Sequence, residues 1–237
     1  MNLPHAQIVL CSDRAALVQR AADLARGAGR RAIAERARFA VATCGADTTR
    51  RVFSVLALSD LAWRDVHIFA SCSCWTPDSR EWFSKPPAPM RNVHAVPIHF
   101  TDPKDAASVY EQQVRAFFGV SGGELPRFDL IVLQLGADGH AASLFPSSSS
   151  LYETARLAVA QYVRQLGTHC VTFTAPLVNQ ARDVLLLASG AEVAKALAET
   201  VAGAFEPERL PVQLLNPVNG TLHVLADRAA AAGISLA

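Results

Sequence analysis

The chain has almost no net charge. Its 22 Lys and Arg residues face 21 Asp and Glu, leaving a formal charge of +1, which removes the electrostatic case for nucleic acid or an anionic membrane surface as a partner. Long apolar runs are missing too: none approaches the ~18 residues that a membrane-crossing helix needs. The opening stretch MNLPHAQIVLCSD has no basic leader and reads as a first strand, so no signal peptide is expected. Cysteine is scarce and odd in number, five in all, without the spacing of a disulfide framework. A reducing, cytoplasmic setting is the expectation. Aromatic residues make up only 7%, and no basic stripe accompanies them. Trp75, Trp82 and Phe83 therefore read as packing residues rather than a base-stacking platform.

What remains is an ordinary globular chain. Its 237 residues, 51% of them hydrophobic, suit one large α/β domain over 1–237 with a substantial core. Apolar runs alternate with helical patterns. QIVLCS reads as a strand, and Asp13 caps a long helix from about 14 to 36. FAVAT, VHIFA, NVHAVP and DLIVLQL come next as strands, then HCVTFT, DVLLLAS and TLHVLAD. A short helix is expected after CGADTT, another helix begins at Asp102-Pro103 with Ala107, Tyr110 and Val114 on one face, and a third lies near 191–202, whereas KPPAP and the SSSS at 147–150 read as connections. Strand and helix taking turns predict a three-layer α/β/α, mostly parallel, doubly wound sheet. In such sheets ligands bind beyond the carboxyl ends of the strands. Gly45, Cys72, Gly136 and His140 all fall just after predicted strands and are expected at that edge.

The most informative stretch is LGADGHAASLFP, Leu135 to Pro146. It holds one carboxylate, Asp138, and one imidazole, His140, a single glycine apart. With the strand before it, FDLIVLQLGADGHAASLFP resembles the signature of the glucosamine-6-phosphate isomerase/6-phosphogluconolactonase family. DPKDAASVYEQQVRAF, TFTAPLVNQARDVLLLASGAE, LPVQLL and VLADRAAA also resemble segments of that family, in the same order. The resemblance implies hydrolysis of 6-phosphogluconolactone to 6-phosphogluconate, a step of the pentose phosphate pathway, with a sugar-phosphate lactone as partner and no metal or cofactor. It makes His140 the general base that takes a proton from water, a role suited to an imidazole near neutral pH. Asp138 orients that ring, and backbone N–H groups near Gly136 and Gly139 are expected to serve the oxyanion.

The departures from the family pattern fall together. The glycine-rich loop appears as Gly45-Ala46-Asp47-Thr48, and the first glycine before the central motif is Gln134. An acidic and a basic residue are replaced within Cys72-Ser73-Cys74-Trp75. A further arginine position holds Cys170, and a lysine position holds Val193. Lys195 is no simple replacement, because two positions turn a helix through about 200°. Gly45, Thr48, Arg50, Arg51 and Arg182 are expected to contact substrate, with His169 as another cation at hand. Three readings stand: a lactonase, with the family substrate or with altered substrate or isomerase chemistry; an impaired homologue that binds a sugar phosphate or a protein partner; or a thiolate-rich metal or redox site built on Cys44, Cys72, Cys74 and Cys170 with His140 at the same sheet edge.

Overall fold

A computed structural model describes residues 6–76 and 86–234. Trp82 and Phe83, and the first residue of KPPAP, lie outside them. In chain order, β1 is Ala6–Cys11, α1 Arg14–Arg36, β2 Phe39–Thr43, α2 Asp47–Leu56, β3 Val66–Ala70, β4 Cys72–Cys74 and β5 Val93–His94. Then come α3 Pro103–Phe118, β6 Leu130–Gln134, β7 Ala158–Val163, β8 Thr168–Phe173, α4 Ala175–Val178, β9 Asp183–Ala188, α5 Ala194–Ala202 and β10 Thr221–Asp227. Seven strands form one sheet in the order β1-β10-β9-β6-β2-β3-β5, and every pair in it is parallel. No helix among the described residues is long and apolar enough to cross a membrane.

The expected strands and helices recur with small shifts, and the α/β class holds. One difference matters for the site. HCVTFT does not join the parallel sheet; it becomes β8 of a second sheet, β4-β8-β7, whose pairs are antiparallel. Its partners escape a sequence reading because β4 is only three residues long, and β7 alternates too little to stand out.

Local chemistry sets the helix ends. Asp13 accepts a hydrogen bond from the N–H of Ala16 at 2.8 Å, and Asp102 does the same for Lys104 before Pro103. α1 buries Leu17, Ala21, Ala25, Ala28 and Ala32 along one face. Small residues there let the helix lie close to the sheet, and at Gly29 a Cβ would come 2.9 Å from Leu61. From α3, the buried Tyr110 hydroxyl donates to the carbonyl of Ala70 at 2.7 Å, pinning the end of β3 just before the second sheet begins. The central strands β2, β3, β6, β9 and β10 supply the core, with Phe39, Phe69, Ile131, Leu133, Leu186 and Val224 buried. That buried slab holds the carboxyl ends of β2 and β6 rigidly side by side.

Candidate active site

At those carboxyl ends lies a cleft of about 430 Å³, a size suited to a small metabolite. Gly45 after β2, Cys72 in β4, and Gly136 and His140 after β6 all line it, so residues far apart in sequence meet at one edge. The second sheet supplies a further wall through Cys72, Ser73 and Cys74.

The loop after β6 is closed on itself. Gly136 donates to the carbonyl of His140, Gly139 donates to that of Gly136, and the N–H of His140 reaches Asp138. Gly139 has φ +82°, and a Cβ there would strike Leu210. A Cβ on Gly136 would sit 2.1 Å from Nδ1 of His140, so only glycine lets the imidazole lie against this backbone. Nδ1 in turn is 2.5 Å from Oδ1 of Asp138. A ring nitrogen facing a carboxylate carries its proton there, which leaves Nε2 as the basic atom. Burial alone would raise the Asp138 carboxyl; the hydrogen bond and charge of His140 outweigh it and hold the carboxyl below its ordinary range. Behind the imidazole, Phe145 stacks at 4.3 Å between ring centroids.

The N–H groups of Gly136 and Gly139 themselves serve carbonyls within the loop, so both residues shape it.

The expected substrate contacts divide. Gly45 and Arg50 line the cleft, and Arg50 is the only Lys or Arg among the described residues that does. Thr48 is buried, and its N–H donates to the carboxamide of Gln134 at 3.0 Å; it anchors the start of α2 and is not a cleft residue. Arg51 is turned away to pair with Asp47 at 2.9 Å, and Arg14 approaches the same carboxylate. Arg182 precedes β9, at the opposite edge of the sheet, where it faces Asp129 at 3.5 Å. It matches a basic position of the family pattern, yet the parallel strand carries the cleft to its other end. His169 packs its ring on Tyr162 on the exposed side of β8, and Lys195 reaches toward Glu199. Val193 is buried.

Four of the five cysteines fall into two pairs. Cys74 and Cys170 stand opposite each other across β4 and β8 and are joined as a disulfide. The cysteine spacing gives no sign of this pairing, because the two lie 96 residues apart and only the strand register brings them together. Cys44 and Cys72 remain thiols. The Cys72 thiol hydrogen-bonds to the Cys44 sulfur, which pulls the Cys44 thiol down against the cost of burial and pushes that of Cys72 up. Among the described residues no three His, Cys, Asp or Glu side chains gather as a ligand set.

Two cleft features carry no clear signal in the sequence. Phe145 is a core residue by type, and nothing in its spacing signals a ring stacked on a base. Gln134 registers only as a lost glycine, whereas its carboxamide caps a helix from the neighbouring strand.

A parallel α/β sheet with a carboxylate-held histidine at its carboxyl edge defines the class of protein. Comparison with known proteins makes it specific: residues 12–224 match the family described as glucosamine-6-phosphate isomerases/6-phosphogluconolactonase, and the chain belongs to that family. It is 34% identical over 234 residues to a 6-phosphogluconolactonase of Synechocystis sp., covering 94% of this chain and 96% of that protein. To the Nostoc sp. 6-phosphogluconolactonase it is 32% identical with the same coverage. Among solved structures, 6-phosphogluconolactonase from Trypanosoma cruzi superposes with a TM-score of 0.85 at 22% identity, over 98% of this chain and 97% of that one. A monomeric glucosamine-6-phosphate deaminase gives 0.76 at 17% identity, over 96% and 100%. Those two likenesses speak for the fold.

Proposed function

We propose that the chain, as one domain over 1–237, hydrolyses 6-phospho-D-glucono-1,5-lactone to 6-phosphogluconate, with His140 as general base. One observation carries this reading: the 2.5 Å contact between Asp138 and Nδ1 of His140, inside a cleft that belongs to a family with named lactonases. Opening a lactone needs a base for water, charge stabilisation for the tetrahedral oxyanion, and an acid for the departing ring oxygen. Nε2 of His140 takes the proton of the attacking water. Asp138 steadies the imidazolium that results. The same proton then goes to the ring oxygen as the C–O bond breaks, giving a carboxylate and a hydroxyl. No metal step is required.

Arg50 is the residue that supports phosphate recognition. Gly45 lines the same cleft just before the start of α2, where helix N–H groups favour an anion. Asp47 and Gln134 oppose that preference: one adds negative charge, the other fills the N–H of Thr48. A second reading draws on Cys74, Cys170 and Val193, which replace basic positions of the family pattern. It is a homologue that still binds a sugar phosphate and has lost turnover. Purified protein distinguishes them. Release of 6-phosphogluconate above the spontaneous rate supports the lactonase; ligand-dependent thermal stabilisation without release supports the second reading.

A further inference from the structure

Four of the five cysteines lie around the cleft, and the two in disulfide linkage differ sharply in access. Cys170 is completely buried, whereas Cys74 lines the cavity. The fold does not depend on their bond. Cys72 pairs with Thr172 and Ser73 with Val171 on one side of it, and the N–H of Trp75 reaches the carbonyl of His169 at 2.9 Å on the other. On its far edge β8 is held by β7 through six register pairs. Opening the bond therefore leaves both strands in place and changes only what the sulfurs touch.

What they touch leads to the base. Cys170, Val163 and Phe145 form one small apolar cluster, with Cys74 packed against it, and Phe145 is the ring stacked on His140. The Cys74 sulfur also lies 3.7 Å from the hydroxyl of Ser143, three residues beyond His140 on the same loop. Two sulfurs that share a bond need more room once each carries a proton, and in a close-packed cluster the neighbour that gives way is Phe145.

We propose that the Cys74–Cys170 disulfide is a reversible redox modification site on the wall of the cleft, opened by a dithiol at the Cys74 sulfur, and that its state resets Phe145 and the surroundings of His140. The reductant's thiolate forms a bond to Cys74 Sγ; the bond to Cys170 breaks, and Cys170 takes up the proton that the attacking thiol lost. The second thiol of the reductant then attacks the mixed disulfide at the reductant's own sulfur. It leaves as a cyclic disulfide, and Cys74 is left as a thiol. Two electrons and two protons have passed from the dithiol to the protein. The consequence for catalysis rests on the lactonase reading; the site itself does not.

The test equilibrates the full chain in buffers of reduced and oxidised dithiothreitol, traps free thiols by alkylation, and maps the linked peptides by mass spectrometry. Cys72 and Cys74 share a tryptic peptide, so Cys72→Ser serves as a parallel sample. A Cys74–Cys170 link that appears and disappears with the buffer ratio, in both proteins, is expected. Alkylation of both residues in every buffer, or a link that no dithiol opens, overturns the proposal. The second readout is the His140 ring signal by NMR, assigned with His140→Gln. It should differ between the two states of the unaltered chain and stay fixed across buffers in Cys170→Ala and in Cys74→Ser; an identical signal in both states refutes the coupling. If lactone is turned over, kcat/KM should change by about 3-fold or more between states. If both redox readouts hold and no lactone is turned over, the modification site stands and the assigned reaction fails.

Discussion

Gly136 and His140 are fitted to each other: the ring nitrogen that faces Asp138 lies where the Cβ of any other residue at position 136 would be, 2.1 Å from it. The base owes its place to a missing side chain as much as to its carboxylate. Gly136→Ala should therefore displace the imidazole, lower kcat by at least about 10-fold, and destabilise the fold by roughly 1–3 kcal/mol, as overpacking does. Gly122 is the control, since a Cβ there meets nothing within 4 Å. Gly122→Ala should leave both activity and melting temperature nearly unchanged. Equal behaviour of the two variants would remove the steric argument.

Phosphate recognition gives a second test. Arg50 lines the cleft, Arg51 is paired with Asp47, and Arg182 sits across the sheet. Arg50→Ala should raise KM for the phosphorylated lactone with little change in kcat, the mark of lost uniform binding. Loss of one charge-assisted bond corresponds to about 1.5–3 kcal/mol, or at least ~10-fold in KM. Arg182→Ala should leave KM as it was. Wild-type kcat/KM should favour the phosphorylated lactone over gluconolactone by ~10-fold or more, about 1.4 kcal/mol. Parity between the lactones, or sensitivity at Arg182 in place of Arg50, contradicts this assignment.

A pH test concerns stability and not the site. His67 and His94 stack on adjacent strands, with Nδ1 of one 3.2 Å from Nε2 of the other. Burial, together with the charge of His67, pushes His94 from 6.5 down to about 4. A histidine kept neutral by the fold stabilises it above the unfolded value and loses that contribution as acid protonates the unfolded chain first. The melting temperature should thus fall as pH drops from about 6.5 toward 4. His94→Phe, which keeps the stack on Phe69, should flatten that fall. An unaltered slope in the variant would assign it to other groups.

Much of the frame is legible in the sequence because local chemistry and periodicity write it there. Asp13 and Asp102 cap the helices they announce, and the apolar runs of β2, β6 and β9 lie buried as parallel strands should. The meeting of Gly45, Cys72, Gly136 and His140 comes from the same logic, since all four lie at or just beyond strand ends on one edge of the sheet. What escapes is long-range. Cys74 finds Cys170 through the antiparallel register of β4 and β8, across 96 residues of chain, and Arg182 is carried to the opposite edge by the direction of β9. Gln134 shows its role only once β6 lies beside the start of α2. A sequence displays residue types; which N–H groups are already engaged, as at Gly136 and Gly139, depends on how one short loop closes.

His140 carries the proposed reaction. The decisive measurement is kcat/KM for 6-phosphogluconolactone with the unaltered chain and with His140→Ala, in the presence of a chelator and corrected for spontaneous hydrolysis. Removing a positioned general base should cost about 10²–10⁴-fold, with folding unchanged by circular dichroism and Asp138→Asn falling in between. Turnover by His140→Ala equal to that of the unaltered chain would contradict the assignment outright.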